Sequence, residues 1–198
     1  MRIISGSARG KHLQTFESGT IRPTSDRVRE ALFSIVTSKI GPLEGLKVLD
    51  ICAGTGALGI EALSRGATEA VFVDNSPQAT AIIARNCRDC RLESGTIILK
   101  DTYLRALPRL SGRQFDLIFI DPPYAVNLLP KIIEAVSKLN LLAPGGLICA
   151  EESSCIEIAS GIGAYTCIDT RNYGDTAIYL FNSDATPEEN IEGEKKHD

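Results

Sequence analysis

A doubly wound, mostly parallel α/β sheet is the fold this sequence predicts, and two patterns point to it. From Leu46 onward strand and helix signals alternate, with strands near 46–51, 69–74, 95–100, 115–120, 145–150, 164–169 and 176–181 and helical stretches between most of them. Acids stand at the ends of the first four strands, Asp50, Asp74, Asp101 and Asp121, where open α/β sheets bind ligands. At 198 residues the chain has room for one such domain, 1–182, followed by an acidic, disordered tail over 183–198.

Residues 2–21 read as a β-hairpin arm, with turns at Gly6, Gly10 and Gly19 and with Arg2, Arg9 and Lys11 as its charges. Residues 24–38 carry Val28, Ala31, Leu32, Ile35 and Val36 at helical spacing, which predicts an amphipathic helix capped by Thr24 or Ser25. Its polar face holds Asp26, Arg27, Arg29 and Glu30. At the other end, the segment around Asn172-Tyr-Gly-Asp175 is too short for a crossover helix, so the last two strands are expected to be antiparallel.

Hydrophobic content of 43% and charged content of 23%, with no apolar run long enough to span a membrane and no signal-like N-terminus, predict a soluble cytoplasmic protein. The six cysteines read as reduced thiols. Cys87-x-x-Cys90 has no second pair, and the two histidines, His12 and His197, lie near the chain ends, so no metal is expected. The net charge of -4 is unevenly distributed. Residues 1–40 carry a local +4 and residues 184–198 a local -4, which concentrates positive potential at the N-terminal end.

Val48-Leu-Asp-Ile-Cys-Ala-Gly-Thr-Gly-Ala-Leu-Gly59 reads as a strand, a glycine turn and a helix start. It satisfies G-x-G-x-x-G, so a dinucleotide oxidoreductase is one reading. Against it, Asp50 ends the strand and three residues intervene before the first glycine; a carboxylate there repels phosphate and attracts a ligand ammonium. Asp74 is placed for ribose hydroxyls or for capping the next helix. Asp101 is placed for an adenine amine or, equally, for a helix cap.

Asp121-Pro-Pro-Tyr124 closes the apolar run Phe115–Ile120. Pro122 and Pro123 fix φ and remove two N–H donors, leaving the Asp121 carboxylate and main-chain carbonyls as acceptors. Two acceptors pulling on the hydrogens of a base amine favour a pyramidal, nucleophilic nitrogen, and Tyr124 is placed to stack on the base. The alternative is a Pro-Pro turn with an Asp cap.

Together, Asp50-x-x-Ala-Gly-Thr-Gly56, Asp74, Asp101 and Asp121-Pro-Pro-Tyr124 resemble a class I S-adenosylmethionine-dependent methyltransferase acting on an amine nitrogen. More narrowly, Arg22-Pro-Thr-Ser-Asp-Arg-Val-Arg-Glu-Ala-Leu-Phe33 and Arg171-Asn-Tyr-Gly-Asp-Thr176 resemble the RsmD family of 16S rRNA guanine-N2 methyltransferases. The resemblance covers about residues 1–182. It implies a Rossmann-like sheet of seven strands with the last antiparallel. It also implies Asp50, Ala53, Gly54, Thr55 and Gly56 around the methionine part of the cofactor, Asp74 at its ribose and Asp101 at its adenine. Asp121, Pro122, Pro123 and Tyr124 are then catalytic.

No metal, general-base histidine or covalent enzyme intermediate is required, because a methylated ammonium on a base is strongly acidic. A base inside structured RNA has to leave its stack to reach Tyr124. Arg9, Lys11, Arg22, Arg27 and Arg29 are candidate phosphate contacts. The implied partner is 16S rRNA, within a small-subunit assembly, and the implied state is a monomer. A DNA adenine-N6 or other amine methyltransferase and a non-catalytic RNA-binding or assembly protein are the alternatives. The first usually needs an added recognition domain, and the second would not require an intact Asp121.

Overall fold

The computed structural model describes residues 1–16, 26–123 and 128–183. Helix α1 (Asp26–Ile40) precedes β1 (Lys47–Ile51), α2 (Ala57–Ser64), β2 (Glu69–Asp74), α3 (Pro77–Cys90), β3 (Thr96–Lys100), α4 (Tyr103–Ala106) and β4 (Phe115–Ile120). Then come α5 (Leu128–Lys138), β5 (Leu142–Ser153), β6 (Gly161–Ile162), β7 (Tyr165–Tyr173) and β8 (Thr176–Asn182). The sheet order is β3-β2-β1-β4-β5-β8-β7-β6. The first five strands pair in parallel, and β8 enters antiparallel between β5 and β7.

The chain runs outward from β1 through β2 to β3, then returns to the other side of β1 as β4. The reversal between β1 and β4 is the switch point at which such sheets open a crevice beyond their carboxyl ends. Side chains alternate across the sheet. Val48, Phe72, Leu117 and Phe119 pack under α1, α2, α3 and the N-terminal arm, while Leu49, Ile51, Val71, Ile118 and Ile120 pack under α4 and α5. Among the described residues no helix is long and apolar enough to cross a membrane. All six cysteines are free, with Cys87 and Cys90 buried on α3.

Among the described residues the sheet has eight strands where the sequence predicts seven. The extra strand, β6, has two residues, paired as Gly161↔Thr166 and Ile162↔Tyr165. Two residues cannot display a period-two pattern. The antiparallel ending is as expected: Gly174, with φ 62°, begins the two-residue turn between Tyr173 and Thr176, which needs a positive φ at that position.

Among the described residues of the arm, the expected N-terminal hairpin is corrected to one bridge, Arg2↔His12, with cross-arm bonds from Ile3 N–H to Lys11 O and from Leu13 N–H to Met1 O. A longer ladder does not form because α2 takes the arm's donors. Ile4 and Ser5 donate to the two Glu61 carboxylate oxygens at 2.8 and 3.0 Å, Ser7 donates to Ser64 O at 2.7 Å, and Ala8 donates to Ser64 Oγ at 2.9 Å. The approach is close enough that a Cβ on Gly6 would sit 1.7 Å from Ser64 O.

Helix α1 begins at Asp26, and the capping residues proposed for it, Thr24 and Ser25, lie outside the described residues. Gly19, Arg22, Tyr124 and residues 184–198 lie outside them too. The helix corrects one assignment: Arg29, read as a phosphate contact on the polar face, is fully buried. The inward stripe is Arg29, Leu32, Phe33 and Val36, an i, i+3, i+4, i+7 set. Arg29 was assigned by its charge, whereas its position in that stripe places it inside. Its Nη2 donates to Arg2 O and to Asp26 Oδ1. Desolvation lowers its pKa, and Asp26 and Glu61 oppose that shift.

Candidate active site

The site is assembled where β1, β2, β3, β4 and β5 end. At the end of β1 the chain turns through Cys52 at φ 61°, Gly54 at φ 56° and Gly56 at φ 76°. A positive φ at a non-glycine residue costs energy and is kept where the surroundings enforce it. Here Cys52 and Ala53 both donate to Val73 O, at 2.9 and 3.2 Å, and Gly56 donates back to Ala53 O at 2.7 Å. Burial and the carboxylates of Asp74, Asp121 and Asp50 push the Cys52 thiol up to about 12, so it is no nucleophile.

The three glycines of the fingerprint have different physical reasons. A Cβ on Gly59 would lie 2.3 Å from the Phe72 ring, so that glycine lets α2 sit against β2. A Cβ on Gly56 would press on Ile83 and Ile60 at 3.1–3.2 Å. Gly54 faces open space, its nearest neighbour being Cys52 O at 4.0 Å, which suits the approach of a ligand to the main chain.

Asp74 Oδ2 accepts the Gly54 N–H at 2.8 Å and Oδ1 accepts the Ser76 N–H at 2.9 Å. Asp74 therefore fixes the glycine loop, and Ser76, accepting from Ala79 N–H, caps α3. Each Asp74 oxygen has a second lone pair, so the half-buried carboxylate can still accept ribose hydroxyls. Asp101 is brought beside it: the Asp101 N–H donates to Asp74 O at 3.1 Å, and Asp101 Oδ1 accepts from its neighbour Thr102 N–H at 2.9 Å. The N-cap position of α4 is held by Thr102, without a side-chain cap bond.

Asp50 sits deeper than a ligand-facing acid. It is 1% exposed, and its Oδ2 accepts the Gly59 N–H at 2.9 Å, tying β1 to α2 beneath the loop. Burial raises its pKa from 3.8 to about 8; the Gly59 hydrogen bond opposes the shift and Asp74 adds to it. The proton it retains on folding gives stability that is complete below about pH 4 and lost as pH rises through about 8. The melting temperature is expected to fall as pH rises from about 4 to about 8 and to level off above, and Asp50→Asn, which keeps an acceptor for Gly59, is expected to flatten part of that fall. An identical pH profile in the variant would refute the assignment.

Asp121 is half-buried at the end of β4, and its N–H donates to Ile51 O at 3.3 Å, so the proline corner is tied to the start of the glycine loop. Pro122 is buried and Pro123 exposed. Burial pushes the Asp121 carboxyl well above the usual range, and Glu151, Asp50 and Glu152 push it further. A water-sized pocket of about 10 Å³ lies beneath it, lined by Asp121, Glu151, Leu32, Leu58 and Ile178 among others. Glu151 and Glu152 were missed in the sequence. They extend the series of strand-end acids to β5, and the signal was present in the apolar run Leu147–Ala150 followed by two glutamates.

The five acidic strand ends therefore converge, and the glycine loop lies among them. The proposed phosphate contacts are more scattered. Arg9 and Lys11 are exposed on the arm and Arg27 is exposed on α1, while Arg29 is internal.

The model of a protein family described as conserved hypothetical protein 95 matches residues 1–182. The chain belongs to that family, the RsmD family. Relatives in it include YlbH of Bacillus subtilis, 33% identical over 184 residues that span 91% of this chain and 98% of the relative. Another is ribosomal RNA small subunit methyltransferase D of Escherichia coli K12, 32% identical over 162 residues, 82% of this chain and 77% of the relative. Among solved structures, the hypothetical protein TTHA0928 of Thermus thermophilus superposes with a TM-score of 0.78 at 31% identity, covering 91% of this chain and 98% of its own.

Proposed function

We propose that this member of the RsmD family is an S-adenosylmethionine-dependent methyltransferase that modifies the exocyclic N2 amine of a guanine in 16S rRNA. The observation that carries the reading is the placement of the Asp121-Pro-Pro corner at the sheet's switch point, tied through Ile51 to the glycine loop. S-adenosylmethionine, when bound, supplies an electrophilic methyl group. The donor set suits it: Gly54 admits a ligand against the main chain, and Asp74 and Asp101 offer acceptors side by side for ribose and adenine. Asp50 holds the loop from beneath, and its buried carboxyl is stabilised in the ionised form by a nearby ligand ammonium.

The chain's own part in catalysis is positioning. Asp121 and the Pro122 carbonyl accept the two hydrogens of the guanine amine, which directs the nitrogen lone pair toward the cofactor side of the crevice. Tyr124 stacks on the extruded base. The substrate is a small-subunit assembly in the cytoplasm, engaged by a monomer. The direct test compares 16S rRNA from cells with and without this gene. One guanine is expected to lose its N2 methyl group and to regain it when small subunits from the deletion strain are incubated with the purified protein and S-adenosylmethionine. Identical methylation maps would overturn the reading.

Exposure now divides the basic candidates. Arg9→Ala with Lys11→Ala is expected to weaken binding to those subunits and to lower the salt slope by up to about 2, leaving cofactor affinity unchanged. Arg29→Ala is expected to lower the melting temperature instead, since it breaks an internal contact. A salt slope unchanged in the double variant would make the arm's charges irrelevant to RNA.

A further inference from the structure

Asn86, on α3, has no role in the chemistry just described, yet it is fully buried and its amide is bonded entirely to main chain from elsewhere. Its Oδ1 accepts the Gln14 N–H at 2.7 Å, and its Nδ2 donates to Gln14 O at 3.2 Å and to Thr55 O at 2.9 Å. With Gln14 it makes a two-bond exchange like that of a strand pair. With Thr55 it reaches into the glycine loop. The Thr55 hydroxyl also touches Met1 Sδ at 3.8 Å, a second contact between arm and loop.

The arm is therefore fastened at both flanks of the loop. Glu61 and Ser64 hold its first half to α2, the helix that starts where the loop ends, and Asn86 holds Gln14 to α3. Exposed Arg9 and Lys11 lie on the stretch between these fastenings. A ligand that fixes this stretch also fixes Gln14, and through one shared amide it restrains the Thr55 carbonyl.

We propose that Asn86 is a positioning residue that couples RNA bound on the N-terminal arm to the cofactor loop, so that RNA and cofactor each tighten the other's binding. The proposal rests on the RNA methyltransferase reading above. It differs from a purely structural role, in which Asn86 would support the fold but leave the two ligands independent. Coupling between sites is reciprocal, so one ratio measures it from either side.

The experiment uses small ribosomal subunits from cells lacking the gene, and measures the protein's affinity for them with and without saturating S-adenosylhomocysteine. The wild type is expected to bind about tenfold more tightly with the nucleoside present, equivalent to about 1.4 kcal/mol. In Asn86→Ala the ratio is expected to fall to about 1. Asn86→Leu provides a near-isosteric second variant: it can neither accept from Gln14 N–H nor donate to Gln14 O or Thr55 O, so its ratio is also expected to fall. General loosening of the fold lowers both affinities and cancels in the ratio. A wild-type ratio near 1, or a ratio preserved in the variants, overturns the coupling. Methyl transfer to the same subunits is measured in parallel. If the wild type methylates them while the ratio stays unchanged in the variants, the coupling alone is wrong; if it does not methylate them, the parent reading fails and takes the coupling with it.

Discussion

Asp121→Ala is expected to lose on the order of 100-fold or more in turnover while folding and binding cofactor nearly as well as the wild type, the scale on which one preorganised hydrogen-bond partner contributes. The expectation for stability has the opposite sign. Desolvation raises the pKa of the half-buried Asp121 carboxyl well above the usual range, and Glu151, Asp50 and Glu152 raise it further, so its charge is an electrostatic cost to the folded chain. Removing it is expected to leave the melting temperature at pH 8 unchanged or raised. An acid kept where it destabilises marks a functional site rather than a structural cap. Single-turnover methylation of small subunits, with calorimetry of S-adenosylhomocysteine binding on the same variant, separates the two effects. Transfer at the wild-type rate would refute the amine-positioning role even if the cofactor assignment survived.

Glu61→Ala is expected to be the most destabilising of the substitutions named, by about 3–5 kcal/mol in urea unfolding, the cost of removing one partner from a buried charged network. Glu61 is fully buried on α2; its Oε1 accepts from Ser5 N–H at 3.0 Å and from Arg65 Nε at 2.7 Å, and its Oε2 accepts from Ile4 N–H at 2.8 Å. Truncation leaves two main-chain donors and a guanidinium without an acceptor. It also frees the arm that brings Ile3, Ala8 and Leu13 into the core. Fast hydrogen exchange at Ile4 and Ser5 is expected to accompany the loss. A change below about 1 kcal/mol would mean that the arm is held by apolar packing alone.

The features legible in the sequence were those that depend on local pattern. Apolar runs ending in acids gave the strands β1 to β4 and their order along the chain, and the spacing from Val48 to Gly59 gave a strand, a turn and a helix start. Asp121-Pro-Pro was readable as a rigid corner because proline acts on its own backbone. Arg29 was misread because side-chain charge was weighed above helical register. The hairpin was misread because the glycines of the arm mark turns without saying which acceptors the intervening N–H groups find.

Sequence alone therefore determined the fold class, the convergence of acids at strand ends and the family, because each follows from periodicity or from residue types at fixed spacing. Tertiary structure decided what each acid does. Asp50 and Asp74 have the same residue type and both stand near a strand end, yet the register pairs Asp50 with Phe72, two residues deeper; one is sealed under α2 with a raised pKa and the other props the glycine loop with both oxygens. The difference arises from burial and from which N–H groups the neighbouring elements present. Asn86 and Glu61 likewise carry no signal in their own segments, since their partners are 72 and 31 residues away for Asn86 and 57 and 56 for Glu61. Only packing brings such groups together, because a side-chain hydrogen bond across that separation exists only after the sheet and its helices have closed around it.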